Sequence, residues 1–171
     1  MDLKSYIRDF PNFPKQGILF RDISPMIKAP EAMHYIAEQF CEHFQDMHVD
    51  VIAGAEARGL IFASVLAMYM NKGLVMLRKK GKLPGETHSI QYDLEYNVAT
   101  LEVQKDLIQP GQRVLIVDDL LATGGTSKAA AQLVEMLGCT VVGFAFVVEL
   151  LALRGREVIG DYEIKTLVTY E

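Results

Sequence analysis

The run VLIVDDLLATGGT, Val114 to Thr126, constrains this chain more than any other segment. Its first part is apolar and β-branched with no polar alternation, as expected of a central parallel strand buried on both faces. That strand is expected to end at Asp118–Asp119. A carboxylate pair there can accept hydrogen bonds from two vicinal hydroxyls of a ribose, or hold an oxygen-ligated Mg²⁺. The chain then turns through Ala122, Thr123, Gly124 and Gly125 to Thr126 and enters a helix. Small side chains let backbone N–H groups approach a phosphate, the two threonines add hydroxyl donors, and the helix N-terminus contributes about half a positive charge. Diol-binding acids beside such a cradle describe a ribose 5-phosphate site. Asp-Asp before Gly-Gly is also a common turn with a helix cap, so the argument rests on the whole run. No Gly-Lys-Ser/Thr follows the glycines and no GxGxxG follows a strand, which removes the main support for nucleoside triphosphatase and dinucleotide readings.

The rest of the chain repeats the same architecture. Met33, Ile36, Ala37, Phe40 and Phe44 follow helical spacing between Glu31 and Phe44. Val49–Ala53 then reads as a buried strand, AEARG as a loop, and Leu60–Met70 as a helix apolar nearly all round. Gly73 stops that helix before the apolar strand Leu74–Leu77. A second strand–helix–strand unit runs from Val114–Val117 through Thr126–Leu137 to Thr140–Val148, with Gly138 as the stop. Right-handed crossovers then imply an α/β fold, an open mostly parallel sheet with helices on both faces and ligands at the carboxyl ends of its strands. AEARG and DDLLATGGT both fall there. Residues 1–25 read as irregular, punctuated by prolines. Lys79 to Lys105 reads as a mobile loop leading into an antiparallel hairpin beside the parallel core. Tyr162–Val168 is expected to be a further strand at the sheet edge.

One domain suffices for 171 residues, 50% of them hydrophobic and 23% charged. Cys41 and Cys139 are far apart and show no metal spacing, so they read as reduced buried thiols of a cytoplasmic protein. No secretory h-region or membrane span is apparent. The net charge of −5 argues against a general nucleic-acid binder. Arg78, Lys79, Lys80 and Lys82 form the one dense basic cluster. It reads either as a solvated charge run or as the partner of a small, highly charged anion.

Val114–Thr126 resembles the phosphoribosyl pyrophosphate signature of the type I phosphoribosyltransferases. Other segments are similar to the adenine-specific branch of that family, in the same order along the chain. FPNFPKQGILFRDISP resembles its base-binding hood (residues 1–25), AEARG its pyrophosphate loop, RKKGKLPG its catalytic lid, and LEY the stretch ahead of the ribose motif. VVELLALRGRE is also family-like. The resemblance implies a single domain, 1–171, with hood and antiparallel lid hairpin (79–105) added to the family fold. It implies formation of AMP and pyrophosphate from adenine and 5-phosphoribosyl 1-pyrophosphate with Mg²⁺, in a homodimer.

By the same resemblance, Asp118 and Asp119 hold the ribose hydroxyls, directly or through a metal-bound water, and Ala122, Thr123, Gly124, Gly125 and Thr126 cradle the 5-phosphate. Arg58, with the backbone at Ala57, meets the pyrophosphate, while Arg78, Lys79 and Lys82 close over it from the lid. Phe20 stacks on the purine, the backbone near Arg21 reads its edge, and Glu95 faces the base nitrogen that gains a proton. By pattern alone Arg58 is also an ordinary surface arginine, Phe20 a core residue, and Glu95 the polar member of an alternating strand. Two other readings stay open. One is transfer to hypoxanthine, guanine, xanthine or orotate; the other is a non-catalytic regulator that senses phosphoribosyl pyrophosphate.

Overall fold

The computed structural model describes residues 1–94 and 97–171. The central sheet is built from seven strands, β3 (Val51–Ala55), β4 (Gly73–Lys79), β5 (Thr87–Leu94), β6 (Asn97–Gln104), β7 (Arg113–Leu121), β8 (Thr140–Leu150) and β9 (Ile164–Tyr170), in the order β5-β6-β4-β3-β7-β8-β9. Strands β4, β3, β7, β8 and β9 run parallel, and the β5–β6 hairpin adds to the β4 edge antiparallel through Arg78↔Glu102 and Lys79↔Leu101. The hairpin expected beside the core is therefore continuous with it.

The helices divide between the two faces because their apolar stripes match the alternation of the sheet. On one face α2 (Pro30–Phe44) brings Ile36, Phe40 and Phe44, and α3 (Gly59–Tyr69) brings Phe62, Ala63 and Leu66, against Ile52, Leu115, Val117 and Val147. On the other face α4 (Gly125–Met136) packs Ala130, Leu133 and Val134 with Ile116, Phe144 and Phe146. Each large side chain so buried contributes about 1.5–3 kcal/mol. Helix α3 is not buried all round: Ile61 and Met68 on its outer side remain 37% and 84% exposed. Strand β3 connects through α3 to β4 on one side, while its other neighbour β7 connects through α4 to β8. The order therefore reverses between β3 and β7, which opens a crevice at their carboxyl ends.

The amino-terminal segment is more regular than its prolines suggest. Strands β1 (Arg8–Pro11) and β2 (Leu19–Asp22) pair antiparallel, and a short helix α1 (Ser24–Lys28) follows. The pairing is tied by Arg8 to Asp22 at 2.6 Å and by Arg21 to Asp9. Strand β7 also runs past the expected stop, because Asp118, Leu120 and Leu121 continue pairing with β8. The acidic pair thus sits within a strand rather than after it.

The segment from Lys80 to Glu86 is folded back on β6. Glu102 Oε2 accepts from Gly81 N at 3.0 Å, Gln104 Nε2 donates to Pro84 O at 3.2 Å, and Arg78 Nη1 donates to Lys82 O at 3.2 Å. The last helix, α5 (Gly155–Ile159), is short and lies ahead of β9.

Candidate active site

A cavity of about 250 Å³ opens in the crevice, lined by Glu56, Ala57, Arg58, Lys79, Tyr92, Leu101, Asp118, Asp119 and Thr126. Its floor is the end of β7. Asp118 Oδ1 accepts from the Asp119 backbone N–H at 2.8 Å, which turns that carboxylate back onto the strand. Burial, and then the Asp119 carboxylate beside it, push Asp118 well above the usual carboxylate range, while Arg58 pulls the other way. Asp119 is 8% exposed, and its Oδ2 is buried with no hydrogen-bond donor among the described residues. Arg58 Nη2 approaches that oxygen to 2.6 Å as an ion pair out of hydrogen-bond alignment. An acceptor left without a donor in a polar cavity is what an incoming hydroxyl would satisfy.

The AEARG loop takes its place from close packing. Gly59 opens α3 directly against β7, where an added Cβ would lie 2.5 Å from Asp118 Oδ1 and 2.8 Å from its Cα. Only glycine lets α3 start there, and that start aims Arg58 across the crevice. The Glu56–Ala57 peptide is cis. Glu56 Oε2 accepts from Arg78 Nε at 2.7 Å, so Arg78 sits behind the loop rather than in the cavity.

A second cavity of about 90 Å³ adjoins the first, lined by Asp118, Leu120, Ala122, Thr123, Gly124, Gly125, Thr126 and Ser127. Gly124 adopts a left-handed conformation, φ 84°, which turns β7 into the N-terminus of α4. Unpaired N–H groups of a helix start, small side chains and two threonine hydroxyls make an anion cradle next to the acidic pair.

The amino-terminal hairpin closes the remaining side. Phe10, Phe13, Phe20 and Asp22 line an apolar cavity of about 320 Å³. Phe20 meets Phe13 edge-on at 5.1 Å between centroids, and the Arg58 guanidinium carbon sits 5.2 Å from the Phe20 ring centre. Arg58 therefore joins the aromatic cavity to the acidic pair. The Arg21 side chain turns away, pairing with Asp9 and lying 3.8 Å over the Tyr170 ring.

Of the residues singled out from sequence, Ala57, Arg58, Lys79, Asp118, Asp119 and Ala122 to Thr126 line the two polar cavities, with Phe20 next to them. Lys82 is exposed and lines neither, and Glu95 lies outside the described residues. Glu56, Tyr92, Leu101, Leu120 and Ser127 were missed as lining residues. Tyr92 and Leu101 read as ordinary members of the hairpin alternation, and only the fold brings the Tyr92 hydroxyl to 3.4 Å from Thr126 Oγ1.

A ribose-sized acidic pocket, an anion cradle and a cationic loop at the switch point of a parallel sheet define a phosphoribosyl-transferring class of protein. The family model described as the phosphoribosyl transferase domain matches residues 26–170. Curated relatives include the adenine phosphoribosyltransferase of Nitrosopumilus maritimus, 55% identical over 99% of this chain and 100% of its own length. That of Alkaliphilus oremlandii is 50% identical, covering 100% and 99%. Among solved structures, adenine phosphoribosyltransferase from Thermoanaerobacter pseudethanolicus superposes with a TM-score of 0.95 at 46% identity, covering 99% of this chain and 98% of its own. The Saccharomyces cerevisiae enzyme, complexed with an imino-altritol bisphosphate and adenine, gives 0.91 at 39% identity, covering 97% and 96%. The chain belongs to the phosphoribosyltransferase family and, within it, to the adenine phosphoribosyltransferases.

Proposed function

We propose that the chain transfers the 5-phosphoribosyl group from phosphoribosyl pyrophosphate to adenine, giving AMP and pyrophosphate. The single observation that carries this reading is the juxtaposition of Asp118–Asp119, the Ala122–Thr126 cradle and Arg58 around connected cavities. The yeast relative's complex with adenine supports the choice of base.

In this reading the 5-phosphate occupies the cradle and the ribose hydroxyls donate to the acidic pair, giving Asp119 Oδ2 its missing donor. Cleavage of the bond from C1 to pyrophosphate builds positive charge on the sugar and negative charge on the leaving group. The carboxylates face the first, and Arg58 and Lys79 face the second. Arg58 is then drawn from Asp119 toward the pyrophosphate. Phe20 takes the purine on its ring, the backbone near Arg21 meets the base edge, and Glu95 faces the nitrogen that is protonated. Arg78 holds the Glu56 side of the loop, and Lys82 reaches the pyrophosphate when the segment 80–86 lifts from β6. Adenine N9 attacks C1 as pyrophosphate departs, and the proton on the ring nitrogen that faces Glu95 passes to that carboxylate, so no covalent enzyme intermediate forms.

Mg²⁺ fits this site as an ion carried by the substrate. Among the described residues no cluster of three or more His, Cys, Asp or Glu could hold a metal by itself. Asp118 or Asp119 would meet it through water, and it would neutralise the departing pyrophosphate. The whole chain, residues 1–171, acts as one domain with residues 1–25 as hood and 79–105 as lid and hairpin. We place it in the cytoplasm as a homodimer, as the family resemblance implies. No helix among the described residues is long and apolar enough to cross a membrane.

The experiment is pyrophosphate release from phosphoribosyl pyrophosphate and Mg²⁺ with adenine, hypoxanthine, guanine, xanthine or orotate as acceptor. Release with adenine alone is expected. Release with another base would retain the ribose chemistry and overturn the hood assignment. Silence with every base would favour the regulator.

A further inference from the structure

The motif LRGRE, near the carboxyl end, touches neither polar cavity, yet it packs directly behind the cradle. A Cβ on Gly124 would lie 2.4 Å from the carbonyl oxygen of Gly155. A Cβ on Gly155 would in turn lie 2.4 Å from Ala122 O and 2.7 Å from Leu121 Cδ1. Backbone meets backbone across this contact, with no room for a methyl on either side. Gly155 is buried at the start of α5, and the helix is anchored at two further points. Ile159 is 4% exposed in the core beneath α4. Arg156 forks onto Glu149, Nε to Oε1 at 2.7 Å and Nη2 to Oε2 at 2.8 Å, and also donates to Thr166 Oγ1 at 3.1 Å and Ile164 O at 3.3 Å on β9.

Glu149 is the register partner of Leu121, the strand residue that leads into the cradle. Its side chain is only 4% exposed, so the fork is a fixed point rather than a surface pair. A planar guanidinium held by both carboxylate oxygens and by β9 sets the angle at which α5 leaves the sheet. Gly155, one residue before Arg156, is thereby pressed against Ala122 and Gly124.

We propose that Gly155 is a positioning residue for the reaction: it sets the shape of the phosphate cradle from behind, and the Arg156–Glu149 fork holds it there. This rests on the reading of Ala122–Thr126 as the 5-phosphate site. The consequence is selective. Displacing Gly155 opens the cradle and weakens substrates that carry the 5-phosphate, while the aromatic cavity that takes the base is untouched.

The test compares the unmodified protein with Gly155→Ala and Arg156→Lys, measuring ribose 5-phosphate binding by calorimetry, the KM for each substrate, kcat and the melting temperature. Gly155→Ala is expected to weaken ribose 5-phosphate and raise the KM for phosphoribosyl pyrophosphate at least about tenfold, with the KM for adenine within about twofold. Arg156→Lys keeps the charge but loses the fork, and is expected to show the same selective change at about threefold. Equal changes in both KM values, or a lowered melting temperature with both unchanged, would overturn the proposal and leave Gly155 a packing glycine. If Gly155→Ala does not fold, an unchanged KM for phosphoribosyl pyrophosphate in Arg156→Lys overturns it instead. Failure of the unmodified protein to bind ribose 5-phosphate would overturn the cradle assignment itself.

Discussion

Arg58 and Asp119 face each other across the crevice, Nη2 2.6 Å from Oδ2, without a hydrogen bond aligned between them. The pair spans two central strands: Arg58 is held by the loop after β3 and Asp119 by β7 itself. Close charges without alignment leave both groups available to a ligand that offers a hydroxyl to one and an anion to the other. Substitution of Asp119 by Asn keeps the shape but removes the charge that faces the developing cation. The kcat/KM for phosphoribosyl pyrophosphate is expected to fall at least about tenfold, or about 1.4 kcal/mol of transition-state binding. Steady-state kinetics check this, and an unchanged value removes the acidic pair from the mechanism.

Gly59 offers a sharper geometrical check. A methyl at this position would lie 2.5 Å from Asp118 Oδ1 and 2.8 Å from its Cα, so α3 or β7 must shift. Gly59→Ala is expected to cost about 1–3 kcal/mol of stability by overpacking. The same shift moves Asp118 and Arg58, so kcat/KM is expected to fall by at least about tenfold as well. Thermal melting and kinetics on the same preparation read both; activity retained in full would show that the α3–β7 contact does not set the site.

Lys82 distinguishes a lid role from a structural one. It is exposed and lines neither polar cavity while residues 80–86 lie against β6. Lys82→Ala is therefore expected to lower kcat while leaving adenine affinity nearly unchanged. Parallel turnover and adenine-binding measurements settle the point, since equal effects on both would remove Lys82 from the lid.

Acid sensitivity of the amino-terminal hairpin follows from Asp22. Hydrogen bonds from the Ser24 hydroxyl and backbone N–H, then from Arg8, lower its carboxyl to about 2 from the ordinary 3.8. The folded state holds the ionised form more tightly, so this contribution is present above pH 4 and lost as pH falls toward about 2. Melting curves of the unmodified protein and Asp22→Asn are expected to differ at neutral pH and to converge between pH 4 and about 2. A constant gap across that range would contradict the assignment.

Strands and helices of the parallel core were legible because their apolar residues keep one pattern over whole elements, helical spacing in Thr126–Leu137 and an unbroken apolar run in Val114–Val117. The cradle and Asp118–Asp119 were legible because strand, acids and glycines are contiguous. What depends on distant packing was not. Nothing local marks Asp118 as still paired to β8, or Asp119 as still inside the strand, since acidic residues at a strand end read as a stop. The β1–β2 hairpin was hidden by Pro11 and Pro14, although Pro11 itself pairs with Leu19. Tyr92 and Thr126 are separated by 34 residues and meet only through the hairpin's docking on α4. Arg78 read as part of a basic cluster, but its partner Glu56 lies 22 residues away on the AEARG loop after β3.

The most direct test is a crystal structure of the protein with AMP bound. The account predicts phosphate density against the backbone of Ala122–Thr126, both ribose hydroxyls on Asp118 and Asp119, and adenine on the Phe20 ring. Phosphate at Arg58 and Lys79 with an empty cradle, or a base bound away from Phe20, would contradict it.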